Sequence, residues 1–283
     1  MKKITIPIRF GKIKGLCWGK GNSKKILALH GWLDNAASFS ELAPMLAKEG
    51  YEVIAIDFAG HGKSDHRAEG HFSHFGDFVL DIHGVLEQLE WDKCTLLGHS
   101  MGAAMAVMYS VAYKEHIEKL IMIENLGPVP AYEQGTAASN LRKALSQWQT
   151  HNTKHQRFYQ SIDSALQVRH KATPMAHKIL RPLVKRSLKK SKKGYHWRTD
   201  KRLKLRSMVR FSEELVQDIL TSEKPPTQLI LAEPPTYALS YPSIKERIKK
   251  LNAENVIKIK GHHHLHMDKA GEVCRAVIGF LDE

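Results

Sequence analysis

An α/β fold, with a buried and mostly parallel sheet carrying helices on both faces, is what this 283-residue chain predicts from three observations. Apolar runs of strand length alternate with helical patterns from residue 25 to residue 123, as right-handed strand–helix–strand crossovers require. The alternation stops over 127–222, where the pattern turns helical, polar and basic, and it then resumes to the C-terminus. The Gly98-His99-Ser100-Met101-Gly102 stretch lies between a predicted strand and a predicted helix. The expected organisation is a core built from 1–126 and 223–283, with 127–222 inserted as a basic helical cap.

Residues 4–10 and 13–18 read as an opening hairpin that turns at Gly11-Lys12. A strand over 25–29 runs into His30-Gly31-Trp32-Leu33-Asp34-Asn35, and 36–49 places Phe39, Leu42, Ala43 and Leu46 at helical spacing. The strand at 51–56 closes at Asp57-Phe58-Ala59-Gly60-His61-Gly62-Lys63-Ser64, and a helix over 75–90 follows. Next come a strand at 94–97, a small-residue helix to about 113, and a strand at 119–123 that ends at Glu124. Beyond the insertion, strands at 227–232 and 255–259 alternate with helices near 242–252 and 270–281. Such crossovers place the 127–222 segment over the strands' C-terminal edge, where open α/β sheets bind ligands.

Composition narrows the functional classes. Hydrophobic residues at 42% and charged residues at 25% are ordinary for a globular chain. Cys17, Cys94 and Cys274 form no paired framework, which suits a reducing compartment, and the cytoplasm is the expected location. The basic N-terminus lacks the apolar core of a secretory signal, and no window of 18 apolar residues exists to span a membrane. The net charge of +14 is local: 142–210 hold 20 Lys and Arg against Asp163 and Asp200 alone. A charge of this kind over a site steers anionic substrates. It equally serves as a solvated helical face, or for peripheral contact with an anionic membrane. No nucleic acid is expected, because Tyr195, Trp197 and Phe211 are the only aromatics among the densest charges and no recognition motif appears.

The chemistry centres on Ser100. A serine on a sharp strand-to-helix turn needs small neighbours where the turns pass closely, and Gly98 and Gly102 provide them. The following helix aims its free N–H groups at the reaction centre. A serine hydroxyl also needs a base, and Gly261-His262-His263-His264-Leu265-His266 follows the last strand at the right edge. The alternative for that cluster is a zinc site, disfavoured because no His-Glu-x-x-His or cysteine partner accompanies it. The order serine, acid, histidine leaves Glu124 and Glu233, both at strand ends, with Glu124 preferred. The oxyanion donors should be the backbone N–H groups of Met101 and Trp32. No metal and no organic cofactor is called for.

Together, Leu29-His30-Gly31-Trp32-Leu33-Asp34-Asn35, Asp57-x-x-Gly60-His61-Gly62-x-Ser64, Gly98-His99-Ser100-Met101-Gly102 and Gly261-x-His263-His264-Leu265-His266-Met267 resemble the α/β-hydrolase superfamily. More narrowly, they resemble the serine hydrolase-like proteins, relatives of epoxide hydrolases and haloalkane dehalogenases. The resemblance implies an eight-stranded sheet with a helical cap, and it marks His263 as the general base. It also implies an acid after the sixth strand, in agreement with Glu124. Ser100 departs from the aspartate nucleophile of those two relatives, which disfavours their alkyl-ester chemistry. The expectation is a serine hydrolase cleaving a small-molecule carboxylic ester or thioester, anionic if the basic segment steers it, through an acyl-enzyme. Its alternatives are a catalytically silent protein that binds an anionic ligand, and a cofactor-free haloperoxidase or C–C bond hydrolase.

Overall fold

The computed structural model describes residues 1–72, 74–128, 136–151, 156–236, 239 and 243–283. The central sheet joins β1 (Lys2–Ile8), β2 (Gly11–Trp18), β3 (Lys24–Leu29), β4 (Tyr51–Asp57), β5 (Cys94–His99), β6 (Ile117–Ile123), β9 (Thr227–Glu233) and β10 (Asn255–Lys260). Their spatial order is β1-β2-β4-β3-β5-β6-β9-β10, with β1 and β2 antiparallel and every pair from β4 onward parallel. The chain thus starts its parallel run near the middle and winds outward in both directions, leaving the C-terminal ends of β3, β5 and β6 side by side.

Side-chain alternation divides the core in two. Leu27, Leu29, Ile54, Ile56, Leu96, Leu120 and Met122 point to the face covered by α2 (Asp77–Leu89) and α3 (Met101–Ala112). Ile26, Ala28, Val53, Ala55, Leu97, Ile121 and Ile123 point to the face covered by α1 (Leu42–Lys48) and α10 (Ala270–Asp282). These strands are apolar on both sides because both sides are buried, as a parallel sheet between helices demands. The helix expected over 36–49 is divided: a 3₁₀ turn at Ala36–Phe39 precedes α1, because Asn35 caps that turn through Ala37 N.

Between β6 and β9 lie α4 (Ala137–Thr150), α5 (Ile162–Ala172), α6 (His177–Ser187) and α7 (Glu213–Thr221). This segment is not all-helical as expected, since β7 (Leu188–Ser191) and β8 (Gly194–Trp197) form an antiparallel hairpin. The hairpin sequence carries the Lys189–Lys193 charge run, whose polarity hides the strand signal. A separate apolar cluster, including Leu166, Leu180, Leu183 and Val184, gives the insertion a small core. Its last helix differs in allegiance: Val216 and Leu220 of α7 pack into the main core beside α3. The C-terminal part of the chain completes with α8 (Ile244–Leu251) and α9 (Leu265–Asp268). Among the described residues no helix is long and apolar enough to cross a membrane.

Candidate active site

Ser100 stands at the turn from β5 into α3 with φ 50° and ψ −119°, a conformation that costs an ordinary side chain on the order of 1–3 kcal/mol. The surrounding contacts hold it there. A Cβ on Gly98 would lie 2.4 Å from Ala103 Cα, and one on Gly102 would lie 2.0 Å from the Leu29 carbonyl oxygen. Ser100 N–H donates to Ile123 O at 2.9 Å, which locks the turn to the neighbouring strand end. Ser100 Oγ makes no hydrogen bond among the described residues.

The loop after β3 passes directly beside this turn: a Cβ on Gly31 would sit 3.2 Å from Ser100 Cβ and 2.9 Å from His99 Nδ1. Trp32 follows, its Nε1–H donating to Leu203 O at 3.1 Å. The backbone N–H groups of Trp32 and Met101 find no acceptor among the described residues. Both residues line a cavity of about 560 Å³ with Ser100 and Asn125, walled by Phe75, Phe78, Leu203, Val209 and Phe211.

The structure brings Glu124 and His263 together, with His263 Nδ1 3.1 Å from Glu124 Oε2. Glu124 is 1% exposed, and two further donors converge on its carboxylate: Ala232 N–H at 2.5 Å and Thr236 Oγ1 at 2.6 Å. Burial of a charged group is costly unless donors surround it, and these three do so. Glu233 is exposed, and its carbonyl accepts from Gly261 N–H at 3.2 Å. The loop after β9 therefore contributes Thr236 to the carboxylate of Glu124 rather than offering an acid of its own. That supporting role carries no signal in the sequence.

His263 Nε2 makes no hydrogen bond among the described residues. Its carbonyl oxygen accepts from His99 Nε2 at 2.8 Å, with the two rings 4.8 Å apart, so the residue beside Ser100 fixes the histidine loop. Burial first, and then the neighbouring imidazoles, hold His99 well below the usual histidine range, so it stays a neutral ring.

The remaining histidines of the 261–266 cluster diverge. His262 is exposed, His264 Nε2 meets Asp34 Oδ2 at 3.2 Å, and His266 packs, tilted, between Phe39 and His99. Among the described residues no three His, Cys, Asp or Glu side chains gather to hold a metal. Asp34 is fully buried. Burial opposes its ionisation, but Arg169 of α5 at 2.7 Å, with His264, overcomes that and holds it below the usual carboxylate range. Asn35 Nδ2 donates to Leu183 O and Ser187 Oγ of the insertion. The segment Leu33-Asp34-Asn35 thus clasps the insertion to the core, a role that sequence reading missed because its partners lie 135 or more residues away.

Comparisons with known proteins identify the fold family. A family model described as alpha/beta hydrolase fold matches residues 25–269. A serine hydrolase-like protein of Danio rerio is 29% identical over 291 residues, spanning 99% of this chain and 88% of that one. Among solved structures, a hypothetical protein from Pseudomonas aeruginosa PAO1 aligns over 100% of both chains with TM-score 0.92 and 35% identity. The thioesterase domain from the curacin biosynthetic pathway aligns over 98% of this chain and 99% of that one, with TM-score 0.86 and 25% identity. Sheet order, strained turn and matched span lead to one conclusion: this chain belongs to the α/β-hydrolase fold family.

Proposed function

We propose that the protein is a serine hydrolase that cleaves a carboxylic ester or thioester through an acyl-enzyme. The observation that carries this reading is the pairing of buried Glu124 with part-buried His263, on a loop that His99 ties to the turn of a strained serine whose hydroxyl is uncommitted. Glu124 accepts the Nδ1 proton of His263, which leaves Nε2 as the base that takes the Ser100 proton. Ser100 Oγ then attacks the substrate carbonyl, and the N–H groups of Trp32 and Met101 receive the oxyanion. Collapse of the intermediate breaks the bond to the leaving group, which takes the proton from His263 Nε2. Water, deprotonated by the same nitrogen, releases the acid and restores Ser100. The apolar walls of the cavity suit an acyl chain.

The test is a panel of p-nitrophenyl esters and acyl thioesters, together with labelling by a fluorophosphonate. Wild-type protein is expected to label once and to turn over at least one panel member. Ser100→Ala should lose labelling and about 10⁴-fold or more of the rate while keeping its fold. Folded wild-type protein that neither labels nor turns over any substrate would replace this reading with that of a silent binding protein.

A further inference from the structure

Among the described residues that line the Ser100 cavity, Asn125 alone holds a buried side-chain atom with no hydrogen-bond partner. The residue is 8% exposed, and its Oδ1 is the orphaned atom. Its Nδ2 makes no hydrogen bond either, but it is open to the cavity. Buried polar groups in folded chains are nearly always paired, so an amide left in this state asks for a reason. Its polar neighbours in the lining are placed differently. Gln147 Oε1 accepts from Arg206 N–H at 2.8 Å, Arg206 Nη1 donates to Asn140 Oδ1 at 3.2 Å, and Arg210 is likewise engaged. Arg202 is paired with Asp200 at 2.6 Å, and Lys204 is exposed, where water satisfies it.

The backbone brings this amide close to the reacting serine. Parallel neighbours such as β5 and β6 lie about 4.8 Å apart, and Ser100 N–H donates to Ile123 O at 2.9 Å. The chain then leaves β6 through Glu124 in a left-handed conformation, φ 56°. That bend separates consecutive side chains: the Glu124 carboxylate meets His263, whereas the Asn125 amide lines the cavity with Ser100. Fully buried Arg247 pins the segment that follows, donating to Leu126 O at 3.0 Å and Pro128 O at 2.8 Å. The same cavity is lined by Trp32 and Met101, whose N–H groups face the oxyanion, and by three phenylalanines. His263, which must protonate the leaving group, is not among its described lining residues. Asn125 therefore stands on the acyl side of the scissile bond.

We infer that Asn125 is a specificity-determining residue, and that the acyl group it selects carries a hydroxyl on its second or third carbon. This rests on the serine hydrolase reading above. A hydroxyl both donates and accepts, so it satisfies the amide in either orientation. A methyl at the same place leaves the amide unpaired and shut away from water, which penalises that substrate. Adjacent strand ends leave room for only one or two carbons between the carbonyl and the recognised group.

Two pairs of p-nitrophenyl esters test this: 3-hydroxybutyrate against 3-methylbutyrate, and 2-hydroxybutyrate against 2-methylbutyrate. Each pair exchanges a hydroxyl for a methyl of about the same size. Wild-type kcat/KM, divided by the uncatalysed rate of each ester, should favour the hydroxy member of at least one pair about tenfold. Asn125→Leu should abolish that preference, and Asn125→Ala, which only removes atoms, gives the same ratio if leucine does not fit. Equal normalised values in both pairs for wild type, or a preference that survives in the variants, would overturn the inference while leaving ester hydrolysis intact. Should no ester be turned over, the hydrolase reading fails by itself, and binding of the corresponding unreactive amides, followed by NMR, decides. Tighter binding of 3- or 2-hydroxybutyramide than of its methyl counterpart, lost in Asn125→Leu, would support the site, and equal or absent binding would refute it.

Discussion

Glu124 occupies the end of β6 with φ 56°, a left-handed conformation that an ordinary residue enters only under constraint. The constraint is visible in its surroundings: its N–H donates to Ile230 O at 2.9 Å, and three donors hold its carboxylate. Since the carboxylate sets the tautomer of His263, Glu124→Gln is expected to lower kcat/KM by about 10³–10⁴-fold. Glu233→Gln, at an exposed strand end, should stay within about twofold of wild type. Both variants should be assayed on the best substrate of the panel. A large loss confined to the Glu233 variant would reverse the assignment of the acid.

At the scale of elements, buried ion pairs tether the insertion to the sheet. Arg186, at the end of α6, is 7% exposed and donates from Nε to both carboxylate oxygens of Asp57 at 2.8 and 3.0 Å. Asp57 also accepts from Ala36 N–H and Lys63 N–H at 2.8 and 2.7 Å, so one carboxylate joins α6 to the loops after β3 and β4. Removing one member of a buried pair strands the other's charge. Arg186→Met should therefore destabilise the fold by about 3–5 kcal/mol in urea unfolding. Arg181→Met breaks the exposed pair with Asp163 and should cost about 0–1 kcal/mol. Equal losses in the two variants would show that Arg186 is not the tether. Part of the charge that sequence reading assigned to steering is thus structural: Arg169 and Arg186 are consumed by Asp34 and Asp57.

For the whole molecule, several histidines are locked inside as neutral rings. Burial lowers His30 to about 4 and His61 to about 3, and burial with neighbouring imidazoles puts His99 and His266 well below the usual range. The unfolded chain takes up protons on these rings near pH 6.5, whereas the folded chain resists until far lower pH. Stability from these groups is therefore complete above about pH 6.5 and lost as pH falls toward 4. Tm measured by calorimetry should drop steadily from pH 7 to pH 4.5. His266→Leu should flatten the profile, because His266 is fully buried and neither of its ring nitrogens has a hydrogen-bond partner. An unchanged profile in that variant would mean that His266 is already charged in the folded state.

How much of this was legible beforehand depends on the range of the interactions. The strand–helix alternation, the Gly98–Gly102 turn and the order Ser100, Glu124, His263 were readable, because local periodicity and turn sterics write themselves into neighbouring residues. The choice between Glu124 and Glu233 leaned on strand-end position and on the family resemblance, and the side-chain geometry that joins Glu124 to His263 appears only in three dimensions. The hairpin of β7 and β8 was invisible, since a lysine-rich strand has no apolar alternation to announce it. The same holds for Thr236 beneath Glu124, for His99 bracing the histidine loop, and for the arginines of the insertion buried against Asp34 and Asp57. Sequence by itself determined the class of fold and the chain order of the proposed reacting groups, because both follow from local patterning and chain order. Only the tertiary structure decided which charges are buried and paired and which still face a cavity, because pairing is a matter of distance between residues far apart in the chain.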